Sequence, residues 1–230
     1  MKNAWHLKVN WFEKFDGSDL KKLQAASVQR EYAPGEMVFA PTPSPQSVYL
    51  LEQGLVRIFR LSEAGGETSF GYITPGEVFG ELAAFSDEPR ESFAQAARRS
   101  SVWRIPRPQF QQTLAARPGI VLEVSRQMGE RMKRIESRVE NLVFRDVRSR
   151  VADILLELGG DFGLEEAGGL LIDLPITQAE LATLVGSTRQ SVNVSLREFE
   201  SEGLIGRKKR CFVLLKPDAL RAAARFVPGS

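Results

Sequence analysis

Between Thr177 and Gly203 the chain carries two short stretches of helical periodicity that meet at a single glycine. Leu181, Leu184 and Val185 form one apolar stripe, and Val192, Leu196 and Phe199 form another, with Gly186 between them. Apolar residues at steps of three and four give each stretch one face to bury. Thr177 stands where an N-cap belongs and Glu180, three residues on, completes a capping box. Gly186 follows the last apolar residue of the first stretch, where a left-handed residue is least costly as glycine, and Ser187 and Thr188 are placed to cap the second. The two helices are therefore joined by a turn of only a few residues, which predicts a helix-turn-helix. A plain antiparallel helix pair with a polar face would need none of these signals in combination.

Such a turn puts Arg189, Gln190 and Asn193 at the N-terminal end of the second helix. In this motif that end enters a DNA major groove. An arginine there donates two bonds to guanine O6 and N7, while glutamine or asparagine pairs with adenine. The run Arg207-Lys208-Lys209-Arg210 comes directly afterwards. Alone it would read as a solvated hairpin tip; beside this motif it reads as phosphate contact.

A chain of 230 residues holds one large or two small domains. Its formal charge of +2 decides little, because a near-neutral chain still concentrates cations on one face. One cysteine, Cys211, and one histidine, His6, leave no disulfide scaffold within the chain and no Cys/His cluster for zinc or an iron–sulfur centre. No metal site is expected. No run reaches signal-peptide or membrane-spanning length, so a soluble, cytoplasmic, non-membrane protein is expected.

Taken in order, the chain opens on aromatics between Trp5 and Phe15 and then Ser18, a predicted N-cap for a short helix. From Val28 to Ile105 short apolar runs alternate with turn residues such as Gly35, Gly54, Gly65-Gly66 and Pro75-Gly76, which predicts a sandwich or barrel-like β-roll. After Pro108 the period changes. Met128, Met132, Ile135, Val139 and Leu142 recur at alternating steps of four and three, the seam of a two-helix coiled coil, which predicts a homodimer. Val151, Ile154, Leu155 and Leu158 predict another amphipathic helix, stopped by Gly159-Gly160, with a glycine-rich loop beyond it. Leu204-Ile205 and Phe212 to Leu215 read as the two strands of a wing around the basic run, and Pro217 opens a last helix to about Arg225. The expected organisation is α+β: a β-roll sensor over 1–107, a dimerisation helix region over 108–144 and a winged helix-turn-helix over 145–230.

This order of parts, with Pro75-Gly76-Glu77-Val78-Phe79-Gly80-Glu81-Leu82, Pro89-Arg90, Asn141-Leu142-Val143-Phe144 before Asp146-Val147, and Val185-Gly186-Ser187-Thr188-Arg189-Gln190, resembles the CRP/FNR family of bacterial transcription factors. The resemblance covers nearly the whole chain. It implies a roll of the cyclic-nucleotide-binding, double-stranded β-helix type, a homodimeric DNA-binding regulator, and RNA polymerase as a partner if the chain activates transcription. In cyclic-nucleotide-binding relatives the residue matching Glu81 holds the ribose hydroxyl and that matching Arg90 the cyclic phosphate. Backbone N–H groups of a short helix starting near Gly80 and Leu82 would add an anion nest.

The family pattern then wants a small hydroxyl residue where this chain has Glu91, with Ser92 turned to the other face. A carboxylate about 4 Å from a phosphate, at an effective dielectric near 20, repels it by roughly 4 kcal/mol, close to three powers of ten in affinity. The helix positions that would offer hydroxyls to adenine are here Ile135 and Glu136. No cofactor is assigned: a different or larger small effector, no effector, and cyclic AMP all stay open, with cyclic AMP disfavoured.

Within the second helix, Gln190 stands where family members often carry glutamate, and Val194 where they often carry a base. Gln178, Thr188, Ser191 and Lys208 are the phosphate-positioning candidates. An enzyme built on the roll would need a His/carboxylate cluster, and the one histidine lies outside the roll, so no catalytic residues are expected.

Overall fold

The computed structural model describes residues 17–225, with side chains from residue 21. The aromatics from Trp5 to Phe15, His6 and the tail from Phe226 to Ser230 lie outside that description, while Ser18, expected as an N-cap, stands inside the helix Gly17–Ala25. The described chain forms two compact units, one ending at Lys133 and the other beginning at Arg134.

In the first unit, α1 (Gly17–Ala25) precedes eight strands: β1 (Val28–Tyr32), β2 (Met37–Phe39), β3 (Ser47–Gln53), β4 (Val56–Leu61), β5 (Glu67–Ile73), β6 (Val78–Phe79), β7 (Phe93–Ala96) and β8 (Ser100–Pro106). They make two four-stranded antiparallel sheets, ordered β1-β8-β3-β6 and β2-β7-β4-β5. Strand β3 shows why its sequence is apolar without alternation: Tyr49 and Leu51 face a core shared by the two sheets, with Phe39, Val56, Phe79 and Val102. Val48 and Leu50 face a second core under the helices, with Ile105, Phe110 and Leu114. A strand buried on both faces has no polar side to display.

Between β6 and β7 lies the single turn α2 (Leu82–Phe85), and after β8 come α3 (Arg107–Ala116) and the 27-residue α4 (Pro118–Phe144). The predicted seam on α4 divides. Ile120, Val124 and Met128 pack into the second core of the roll, so Met128 does not belong to the exposed stripe. Met132, Ile135, Val139 and Leu142 are exposed, as are Val143 and Phe144. The drift of a 3.6-residue helix under a repeating apolar pattern explains this: one stripe serves two faces in turn.

The second unit begins with the rest of α4 and continues into α5 (Val147–Phe162), whose N-cap Asp146 accepts from Ser149 N at 2.7 Å. Contrary to the expected stop, α5 runs through Gly159-Gly160. A Cβ on Gly159 would stand 2.7 Å from Leu214 Cδ1 and 3.2 Å from Leu170 Cδ2, so glycine there admits a close approach rather than ending the helix. The expected glycine-rich loop is also partly strand. Hairpin β9 (Gly163–Glu166) and β10 (Gly169–Ile172) joins β11 (Ile205–Lys208) and β12 (Cys211–Leu214) in one sheet ordered β11-β12-β10-β9. The wing therefore has four strands, not two, because Leu170 and Leu171 pair with Leu214 and Val213. Helices α6 (Gln178–Val185), α7 (Arg189–Ser201) and α8 (Pro217–Ala224) complete the unit around buried Leu155, Leu181, Leu196, Phe199, Phe212 and Leu220.

Candidate nucleic-acid interface and ligand region

Helix α6 starts on the capping box read from the sequence. Glu180 N donates to Thr177 Oγ1 at 3.1 Å, and Thr177 N donates to Glu180 Oε2 at 2.8 Å. It ends on Gly186 in the left-handed region, at φ +67°. Thr188 then caps α7, accepting from Ser191 N at 3.1 Å, and the two hydroxyls lie 2.9 Å apart. The buried residues Val192, Leu196 and Phe199 turn Arg189, Gln190 and Val194 outward. Arg197 shares that exposure, and sequence reasoning missed it. The signal was present, since position 197 falls three residues beyond Val194 on the side opposite the buried stripe. Asn193 is half-buried, its Oδ1 accepting from Gln178 Nε2 at 3.1 Å.

Several cations of this unit already have carboxylates. Arg148 bonds Glu198 and Glu202 at 2.8 Å, Arg207 bonds Glu200 at 2.6 Å, and Arg138 bonds Glu157 at 3.0 Å. Lys208, read as a phosphate contact, is paired with Glu166 of β9 at 2.8 Å. That partner is 42 residues away in sequence and entered the wing only through the unexpected hairpin. Arg189, Arg197, Lys209 and Arg210 are exposed and have no carboxylate partner among the described residues. Lys209 sits at the hairpin tip with φ 57°. Among the uncommitted cations, Arg189 and Arg197 stand on the outer face of α7 and Lys209 and Arg210 at the wing tip.

In the roll, the candidate ligand residues have specific occupations. Arg90 Nη2 donates to the carbonyls of Ser47 at 2.8 Å and Gly80 at 3.0 Å, and its guanidinium lies 4.2 Å from the centroid of Phe39 and 5.4 Å from that of Tyr49. Burial lowers its pKa, opposed by Tyr49 and Glu81. Gly80 is left-handed at φ +67°, and a Cβ there would stand 2.9 Å from Arg90 Nη2. Buried Glu81 accepts from Arg131 Nη1 of α4 at 3.0 Å, while Arg131 Nη2 donates to Val78 O at 2.6 Å.

Two of the other candidates in the roll, Leu82 and Glu91, do not line this place. The Leu82 side chain is 62% exposed, so only its backbone is available. Glu91 turns outward and pairs with Arg60 at 2.8 Å, which offsets the charge from which the sequence argument drew its repulsion. Ile135 is also exposed, and with Glu136 it belongs to the second unit.

Residues 29–117 match the family model for the cyclic nucleotide-binding domain, and residues 149–223 match that for the Crp-like helix-turn-helix domain. A "CRP-like cAMP-activated global transcriptional regulator" of Mycobacterium tuberculosis H37Rv is 32% identical over 205 residues, covering 89% of this chain and 90% of that protein. The chain belongs to the CRP/FNR family. A "Global nitrogen regulator" of Synechococcus elongatus is 30% identical over 206 residues, covering 89% of this chain and 91% of that one.

Among solved structures, CooA of Carboxydothermus hydrogenoformans superimposes with a TM-score of 0.78 at 23% identity, covering 94% of this chain and 96% of that chain. The c-di-GMP-responsive regulator CLP of Xanthomonas campestris gives 0.77 at 25%, covering 86% and 99%. This CRP/FNR member is accordingly a DNA-binding transcription regulator and not an enzyme. Among its described residues no group of three or more His, Cys, Asp or Glu could hold a metal ion, and no helix is long and apolar enough to cross a membrane.

Proposed function

We propose that the chain regulates transcription as a homodimer that reads a two-fold symmetric DNA site, one α7 per half-site, with Arg189, Gln190 and Asn193 facing base edges. The observation that carries this reading is the exposed, carboxylate-free Arg189 at the capped start of α7, in a unit where Arg138, Arg148 and Arg207 are held by carboxylates. Exposed Met132, Ile135, Val139 and Leu142 on α4 supply the apolar stripe that a second copy would cover. Two recognition helices would then stand roughly 34 Å apart, one turn of DNA. Thr188, Ser191, Lys209 and Arg210 are the phosphate contacts in this reading, with Lys208 retained by Glu166. The cytoplasm is the compartment where such a site is found, and RNA polymerase is the partner of an activator. Selection of bound duplexes from a random library tests it: a palindrome with two half-sites one turn apart is expected, and recovery of unrelated sequences would overturn it.

The roll, in the same reading, takes a small anionic effector at Arg90. The support is a buried guanidinium whose hydrogen bonds go to neutral carbonyls and whose nearby carboxylate, Glu81, is itself engaged by Arg131. A ribose hydroxyl would have to compete with Arg131 for Glu81, so cyclic AMP is expected to bind more weakly than an anion that uses Arg90 and leaves that pair intact. Titration calorimetry with cyclic AMP and with cyclic di-GMP compares the two. Micromolar binding of cyclic AMP would contradict the order, and heat from neither, together with DNA binding by the untreated protein, would favour an effector-independent regulator.

A further inference from the structure

An asparagine amide carries an acceptor oxygen and a two-donor nitrogen on opposite sides of Cγ, so engaging one aims the other. On α7, Asn193 Oδ1 is engaged by Gln178 Nε2 at 3.1 Å, across a contact between helices that is partly shielded from water. Gln178 is the first residue of α6, held in place by the Thr177–Glu180 capping box. Bidentate pairing with adenine uses both ends of the asparagine amide, the oxygen accepting from N6 and the nitrogen donating to N7. An oxygen directed at α6 does not reach into a groove on the outer face of α7. The adenine preference expected from residue type alone is therefore altered by a neighbour on another helix.

We propose that Gln178 is a positioning residue for base selectivity: by holding Asn193 Oδ1 it presents Asn193 Nδ2 outward as a donor-only probe. Such a probe favours an accepting edge, guanine O6 and N7 or thymine O4, over the amino edge of cytosine, and on adenine it keeps N7 but loses the N6 partner. Gln178 acts through Asn193 and not as a contact to phosphate. The inference rests on α7 being the base-reading helix.

Replacing Gln178 by glutamate provides the test, because a carboxylate only accepts. It would take Asn193 Nδ2 and turn Oδ1 outward. An acidic residue in the first turn of α6 is compatible with the helix dipole, so the fold is expected to stand, which a thermal melt checks. Duplexes are selected from a random library with the full chain, with Gln178→Glu and with Gln178→Ala. At one step per half-site the wild type is expected to favour guanine or thymine, and Gln178→Glu to reverse the order toward adenine or cytosine by roughly three- to tenfold, the range of one hydrogen bond.

With Gln178→Ala that preference flattens while the base under Arg189 stays selected. An unchanged preference in Gln178→Glu overturns the proposal. So does a Gln178→Ala protein that weakens equally on every duplex with its base preferences and salt slope unchanged, since that identifies an uncharged phosphate contact. A wild type that selects no common sequence overturns the reading of α7 and this inference with it.

Discussion

Leu142, in the last turn of α4, lies against Gly186, the left-handed residue that ends α6: a Cβ built on Gly186 would stand 2.8 Å from Leu142 Cδ2. The end of the long helix and the turn of the helix-turn-helix thus share one steric contact. Gly186→Ala is expected to cost about 1–2 kcal/mol for the left-handed backbone alone, and more through Leu142. Urea denaturation measures the total, and adding Leu142→Ala should recover only the steric part. A midpoint equal to wild type would show that the turn is not held as described.

The divided stripe on α4 separates two substitutions one heptad and a half apart. Val139→Glu places a charge on the 55% exposed part and is expected to yield monomers in sedimentation experiments, with the melting of the roll unchanged. Met128→Glu puts the same charge against the core of the roll and is expected to destabilise that unit by about 1–3 kcal/mol. Equal oligomeric states for wild type and Val139→Glu would remove the seam assignment.

Charge pairing ranks the cations of the DNA-binding unit. Arg189→Ala is expected to cost about 1–3 kcal/mol and to relax one base pair in each half-site, while Lys209→Ala and Arg210→Ala each weaken all duplexes and reduce the salt slope by about one per half-site. Lys208→Ala should change affinity less than either, because Glu166 already holds its ammonium. Salt-dependent fluorescence anisotropy distinguishes them, and a larger effect at Lys208 than at Lys209 would reverse the ranking.

Asp153 of α5 is partly desolvated, which raises its pKa against the opposing pull of Arg145 at 4.0 Å and of Asn141, whose Nδ2 donates to it at 2.7 Å; Glu157 adds to the rise and Arg138 opposes it. A carboxyl whose pKa is higher folded than unfolded binds its proton more tightly in the folded state. Its contribution is most favourable below the unfolded value near 4 and is lost as pH rises through the folded value. Asp153→Asn keeps an acceptor for Asn141 and removes that penalty. Its melting temperature is expected to exceed that of wild type at pH 7, with the gap closing as pH falls toward 4. A gap that widens on acidification would reverse the sign of the argument; calorimetry across that range measures it.

Local signals carried much of the architecture. The Thr177–Glu180 box, the left-handed Gly186 and the Thr188 cap are as read, because each depends on residues within four positions of one another. The run from Val28 to Ile105 yielded strands for the same reason. Gly159 misled because a glycine that ends a helix and one that admits Leu214 look identical in sequence. The hairpin β9–β10 was missed since Leu170 and Leu171 are specified by pairing with β12, more than 40 residues on.

What the residues alone determined is the order of parts and the motif that joins α6 to α7, since caps, periodicity and turn residues act over a few positions. The tertiary structure decided which charges are spent and which are free: Glu91 with Arg60, Lys208 with Glu166, Glu81 with Arg131, and Gln178 with Asn193. A side chain's chemistry is fixed by its type, but the hydrogen bond or ion pair it has left to offer depends on what the fold brings beside it.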